Sequence, residues 1–423
     1  MYQVTRFPNG LTVATAEMPH MASVSLGVWV AVGGRFEPAA LNGASHFIEH
    51  MLFKGTRKRP ARKISEDVEG VGGYLNAFTG EENTCFYSKA LADRFDDLLE
   101  VLMDMFLHST FAPAEVDKER GVIKEEVAMY FDQPAQLVQE LLNQTLWPEQ
   151  PLGRPITGTS ATLDFLNRAR LVEFMRTRYL AGNTVIAAAG NLRHQQVVKA
   201  VAGYARHVPD GRPPAYAPAR DGQDAPRVNL RTKRTEQTQL ALGIRTCSRH
   251  DDRRFALRIL NALLGENMSS RLFQLVREDH ALAYSIYSSP SFFDDTGDLV
   301  ISAGLDDENL PRALKLIISE LRRLREKVPG AAELRRARDY VIGQLDLNLE
   351  GTEPQMNWVG EHFLGYGRIP SAAETKRRLA SVTAGELRGI ARDFFRPERM
   401  NLALVTPLKR VPGLARILET LSA

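Results

Sequence analysis

Residues 46–50 read His-Phe-Ile-Glu-His. Two histidines four positions apart stack on one face of a helix. That separation lets two imidazoles hold a single zinc ion. Glu49 projects beside the same face, where a carboxylate can take a proton from a zinc-bound water. The order His-x-x-Glu-His reverses the commoner metalloprotease helix motif, His-Glu-x-x-His. The chemistry expected is zinc-dependent hydrolysis of peptide bonds. The alternative is a surface helix with two unrelated histidines, and the local context argues against it. Gly43, Ala44 and Ser45 offer small residues and a cap. Phe47, Ile48, Met51, Leu52 and Phe53 surround the polar triplet with apolar side chains, and Gly55-Thr56 suggests a stop. Such a helix is largely buried, and burying two histidines and a glutamate without partners is costly. A metal supplies the partner.

Catalytic zinc sites use three protein ligands and a water, so a third ligand is needed. Residues 113–130 read as a helix, with Pro113 suited to its first turn and acids enriched near the start. Glu119 and Glu126 are seven residues apart, two turns, and share a face. Glu115 lies one turn before Glu119 on roughly that face, while Glu125 points away. By spacing alone these acids also fit a solvated acidic face.

Several segments carry a more specific signal. They are His46 to Thr56, Gly73-Tyr74-Leu75-Asn76-Ala77-Phe78-Thr79, Glu119-Arg120-Gly121-Val122-Ile123 and Pro151-Leu152-Gly153-Arg154-Pro155-Ile156. In the second half, Ser270-Arg271-Leu272-Phe273 and Leu282-Ala283-Tyr284-Ser285 continue the pattern. Through them nearly the whole chain resembles the pitrilysin, insulysin and mitochondrial processing peptidase family of inverted zinc peptidases, as a small two-domain, bacterial-type member. The resemblance implies one Zn2+ per chain, held by His46, His50 and Glu126, the last 76 positions beyond His50. It implies that Glu119 supports the site from outside the ligand set. It assigns Arg277 and Tyr284 to the substrate and the developing oxyanion, and the strand bearing Asn76, Ala77 and Phe78 to backbone pairing with a peptide. Relatives of this size work as clamshell dimers, so a homodimer is expected, with Arg277 and Tyr284 facing the partner's metal site. A heterodimer with an inactive paralogue is the alternative.

The mechanism expected is that of a zinc endopeptidase acting on short or unfolded peptides. Glu49 takes a proton from the zinc-bound water, whose pKa the ion lowers to about 7, and passes it to the leaving amine. The competing reading is a non-catalytic peptide-binding or structural subunit of a heterodimeric processing peptidase. Relatives of that kind typically lose part of the metal motif, whereas this chain retains the base and all three candidate ligands.

The elements that must position these residues are legible as a duplication. The 423 residues are enough for two domains. Residues 208–226 are rich in Pro, Gly and Asp and read as a linker near the middle. On each side the order is strand, helix, strand, long helix. These are 24–32, 44–54, 84–90 and 92–108 in the first half, and 238–245, 253–264, 299–303 and 310–325 in the second. An offset of about 213, estimated by matching the repeats, sets His46 over Ile259 and His50 over Leu263. The second copy keeps the helix and lacks the metal chemistry. The expected fold class is therefore α+β, with two homologous domains, each a mainly antiparallel sheet packed with helices. Residues 1–210 form the catalytic domain, 211–226 the linker and 227–423 the domain without metal.

Composition is ordinary for a globular chain, with 44% hydrophobic residues, 25% charged residues and a net charge of +3. No basic run with interleaved aromatics suggests nucleic-acid binding. No apolar stretch approaches a membrane span. The glycines at 70, 72 and 73 are followed by no Lys-Ser/Thr, so they are not a phosphate loop. Asn9-Gly10 reads as a hairpin turn. The N-terminus lacks a secretory core, and Cys85 and Cys247 are too few for a disulfide framework. A cytoplasmic location is the expectation.

Overall fold

β-Branched, aliphatic and small residues run through strands β1 (Tyr2–Arg6), β2 (Thr12–Glu17), β3 (Ser23–Val30), β4 (Tyr74–Thr79), β5 (Thr84–Leu91) and β6 (Thr184–Gly190). In the computed structural model, which describes residues 2–421, they form one sheet in the order β1-β2-β6-β3-β5-β4. Strands β7 (Arg227–Thr232), β8 (Thr238–Arg245), β9 (Ala283–Phe292), β10 (Gly297–Leu305) and β11 (Met400–Thr406) form a second, ordered β7-β11-β8-β10-β9.

The two sheets repeat one plan. Strand β3 lies antiparallel between β6 and β5, as β8 lies between β11 and β10. Strand β2 runs parallel to β6, as β7 does to β11. Each sheet ends on an antiparallel edge strand, β4 or β9. The first sheet adds β1, joined to β2 through a loop in which Gly10 takes a positive φ of 95°. This is the expected α+β duplication. Its mixed strand directions are closed by β6 and β11, which arrive late in each half.

The first half contains helices α1 (Ala44–Leu52), α2 (Ala61–Glu69), α3 (Phe95–His108), α4 (Pro113–Asp132) and α5 (Pro134–Leu146), of which α1 and α4 carry the site. Leu98, Leu99, Leu102 and Met105 of α3 join Phe47, Ile48, Met51 and Leu52 of α1 in one buried cluster with Val24, Leu26, Val28 and Val30 of β3. Burying a side chain of this kind contributes roughly 1.5–3 kcal/mol, so the metal-motif helix is fixed by its apolar residues before any ion is considered.

The compact units are not contiguous halves. One comprises residues 1–128, 154–217 and 347–371, the other 129–153, 218–346 and 372–423. A division at 1–210 and 227–423 separates the sheets but misplaces two helices. Helix α5 belongs to the second unit, where Leu137, Val138, Leu141, Leu142 and Leu146 cover Ala241, Ala403 and Val405. Helix Thr352–Tyr366 belongs to the first, where Met356 and Val359 cover Ala14, Ala16, Ala187 and Ala189. Both sheet faces are lined by small residues, which leave room for a helix brought in from far along the chain. The approach is close. A Cβ at Gly360 would stand 2.4 Å from the Trp29 indole nitrogen, and one at Gly27 2.6 Å from Met356 Sδ. Packing therefore requires Gly at 360, against the rigid Trp29 ring, while a Cβ at 27 would have to displace the Met356 side chain.

Residues 211–226 have no regular structure, yet the middle of the segment is held. In the first unit the Arg35 guanidinium stacks on Tyr216 at 3.9 Å and donates to the Ala217 carbonyl. In the second, Gln150 Oε1 accepts from the Arg220 N–H at 2.6 Å. Among the described residues no helix is long and apolar enough to cross a membrane.

Candidate metal centre

Helix α1 begins without a side-chain cap of its own. Gly43, at φ 94°, precedes it, and a Cβ there would meet the Gly158 backbone at 2.9 Å. The cap comes from Glu37. One of its oxygens accepts from Ser45 N at 2.7 Å, the other from Gly43 N at 2.7 Å and from Asn42 Nδ2 at 3.1 Å. This buried carboxylate satisfies donors that a helix start leaves open and sits where the helix dipole favours negative charge. Burial pushes its carboxyl up to about 7, against the pull of the Ser45 and Gly43 N–H groups and Asn42.

His46 and His50 leave α1 on one side, with ring centroids 4.6 Å apart. Helix α4 brings Glu126 to them. The Glu126 Oε2 atom is 3.7 Å from His46 Nε2 and 3.6 Å from His50 Nε2, and one donor atom from each residue lies within 4.8 Å of the others. These separations are too long for hydrogen bonds but suit a shared ion. Donors about 2.0–2.1 Å from a tetrahedral zinc stand about 3.3–3.4 Å from one another. Burial, followed by the charge of His50, lowers the His46 pKa to about 3, so this imidazole is neutral and its lone pair is available at neutral pH. Two imidazoles and one carboxylate fit zinc in donor type, number and spacing. Among the described residues, this is the group so arranged.

Glu49 faces the same space from α1. Its Oε2 accepts from Thr79 Oγ1 at 2.6 Å. Burial raises its carboxyl above the ordinary range, with Thr79 and His50 pulling the other way. Such a shift moves a carboxylate toward the basicity useful at neutral pH. Nothing in the local sequence marks Thr79 for this role. It is reached because β4 places its last residue over α1.

Glu119, one helical face with Glu126, is 1% exposed at its side chain. Its Oε1 lies 3.6 Å from His50 Nδ1 and its Oε2 2.5 Å from Lys54 Nζ. Burial works against its charge, but His50 and Lys54 outweigh it and hold the carboxyl below the ordinary range. Glu125 is exposed and stands apart from this group.

The edge strand β4 alternates its faces. Leu75 and Ala77 turn toward the core cluster that contains α1, on the side from which Thr79 reaches Glu49. Tyr74, Asn76 and Phe78 are exposed on the other side. Phe78 stacks edge-on against Trp29, with centroids 5.4 Å apart, and Tyr74 OH bonds Glu353. The Asn76 side-chain oxygen accepts from Ala77 N at 2.8 Å. So Asn76, Ala77 and Phe78 are neighbours on an edge but not on one face.

Arg277 and Tyr284 belong to the other unit. Arg277 lies in the wide helical turn Phe273–Asp279, and Tyr284 is the second residue of β9. Ala281, at φ 49°, reverses the chain between them, and its N–H bonds the Arg277 carbonyl at 3.0 Å. The guanidinium stands 5.9 Å from the Tyr284 ring centre, and Tyr284 is 76% exposed. The pair is thus assembled within its own unit. Ile259, in helix Arg253–Asn261, and Leu263, in the wide turn Ala262–Glu266 beyond it, are buried in an apolar core. The remaining histidines serve elsewhere; His194, for example, is buried between the Thr5 and Thr15 hydroxyls.

The chain is similar to known proteins along most of its length. The family model described as insulinase (peptidase family M16) matches residues 12–160, and that described as peptidase M16 inactive domain matches residues 166–341. The first spans the metal cluster; the second begins beyond it. A protein named as an uncharacterized zinc protease of Streptomyces coelicolor is 39% identical over 96% of this chain and 89% of its own length. The uncharacterized zinc protease YmxG of Bacillus subtilis is 36% identical over 96% and 98%. Among solved structures, a protease from Helicobacter pylori superposes with a TM-score of 0.91 at 20% identity, covering 96% of this chain and 99% of that one. With relatives this similar along both chains, the protein belongs to the insulinase family of peptidases, M16.

Proposed function

We propose that the protein is a zinc-dependent endopeptidase that hydrolyses short or unfolded peptides. The observation that carries this reading is the convergence of His46, His50 and Glu126 beside the Glu49 carboxylate. His46, His50 and Glu126 would hold the ion. When bound, zinc supplies Lewis acidity for activating water and polarising the scissile carbonyl. Glu49, its basicity raised by burial, accepts the proton of the attacking water and later delivers it to the leaving amine. Thr79 keeps the Glu49 carboxylate in place through their hydrogen bond. The free edge of β4 offers backbone groups to an extended peptide, which gives affinity with little sequence choice. Incubating the full chain with a mixture of unfolded peptides tests the reading. Internal cleavage is expected with zinc, loss after chelation, and return on adding zinc back. Cleavage that persists after the metal is demonstrably removed, or none by the zinc-loaded chain, overturns it.

The chain carries both the metal cluster and the Arg277–Tyr284 pair, which supports a homodimer whose sites are completed across subunits. Arg277 and Tyr284 then stabilise the developing oxyanion from the partner. Mixed Glu49→Gln and Tyr284→Phe chains are expected to regain activity that neither has alone. Silence from demonstrably mixed dimers excludes sharing.

A further inference from the structure

Lys54 stands four residues beyond His50, just past the end of α1. Its stem is partly exposed, but its ammonium turns inward to Glu119 Oε2 at 2.5 Å. The other oxygen of that carboxylate faces His50 Nδ1 at 3.6 Å, an ion-pair separation that closes to a hydrogen bond with a small turn of either side chain. The three groups therefore form a line from ammonium to carboxylate to imidazole, ending at the nitrogen, His50 Nε2, that lies 3.6 Å from Glu126. A carboxylate has two oxygens and a rotating bond. Buried with one partner, it can turn either oxygen to that partner or swing away. With an ammonium fixed on Oε2, only Oε1 is left for His50.

We propose that Lys54 is a positioning residue of the metal centre, holding Glu119 so that His50 keeps its proton on Nδ1 and presents a bare Nε2 to the ion. This rests on the metal reading above. A ligating histidine ordinarily donates its other N–H to a carboxylate or carbonyl, and that partner sets tautomer and ring orientation. Here the partner is itself buried, so its orientation needs a second group, and Lys54 is placed to supply it. The role is carried by charge and reach. The ion pair through which Lys54 acts is with Glu119, which is outside the three clustered donors.

The test is zinc affinity of the full chain, read by competition with a chromogenic chelator, without reference to turnover. Lys54→Met is expected to weaken zinc binding by about 10–100-fold, the usual effect of removing an outer partner. Lys54→Arg, which keeps charge and donors but changes their geometry, is expected to recover most of that loss. In a Glu119→Gln background, Lys54→Met is expected to add little, because both changes break the same line. Thermal unfolding of the metal-free variants is measured alongside, and Lys54→Gln serves if the methionine variant does not fold. Zinc affinity of the folded neutral variant within twofold of native overturns the proposal, as does a loss that persists in full beside Glu119→Gln. Failure of the native chain to bind zinc instead overturns the metal reading itself.

Discussion

Glu49→Gln is expected to lower kcat by about 10²–10⁴-fold, the usual contribution of a positioned general base, while leaving zinc affinity unchanged. The substitution removes one proton-accepting charge and little else. A glutamine side chain has the same length, and its carbonyl can still accept from the Thr79 hydroxyl that now bonds Glu49 Oε2. Glu49 is not among the three clustered donors, so the ion should be held as before. Preserved zinc binding also certifies that α1 is folded, because His46 and His50 flank the substituted residue on the same helix. The measurement is turnover of an unfolded peptide at saturating substrate, paired with a zinc titration. Turnover within tenfold of native would remove Glu49 from the role of base and leave the water to be activated by another group.

Glu126→Gln should have its largest effect on the metal. Even loss of an outer partner costs 10–100-fold in affinity, so loss of a direct anionic ligand should exceed about 100-fold. The physical reason is charge as well as geometry. His46 is neutral at working pH because burial lowers its pKa to about 3. Glutamine at 126 would remove the anionic member of the donor trio. Native chain in hundredfold zinc excess over its Kd gains about 2.7 kcal/mol of stability by mass action; the variant should gain almost none. Glu125→Gln is the control. It alters the same helix and the same net charge, but its side chain is exposed and away from the cluster. Zinc affinity of Glu126→Gln within tenfold of native, with Glu125→Gln weakened instead, would reverse the assignment.

Much of this centre was legible because helical spacing is local. The five residues 46–50 set both imidazoles and the carboxylate on one side of α1. The seven-residue interval from Glu119 to Glu126 set both acids on one side of α4. The duplication could be read from element order, and the strands and helices stand close to where periodicity placed them. Boundaries shifted modestly: the helix expected over 44–54 ends at Leu52, and that over 113–130 runs to Asp132. Spacing could not say that α4 faces α1. That step came from resemblance.

The rest depended on contacts between distant segments. Glu37 caps α1 from a preceding loop, so no helical period links it to Ser45. Thr79 reaches Glu49 only because β4 ends over α1. The alternation of β4 separates Ala77 from Phe78, which pack on opposite sides of the sheet. The exchange of α5 and helix Thr352–Tyr366 between units is silent in a linear reading. An apolar helix face states that it must be covered, but not by which sheet. Here alanines on β2 and β6, with Gly27 and Gly360 at the closest approach, decide the partner by shape. The sequence by itself determined the donor types, their spacing on each helix and the doubled plan of strands. Tertiary structure alone decided which helix faces which, which oxygen of Glu119 meets Lys54, and which distant segment closes each sheet. Helical period and strand alternation act within a few residues, whereas burial and ion pairing act wherever the folded chain brings surfaces together.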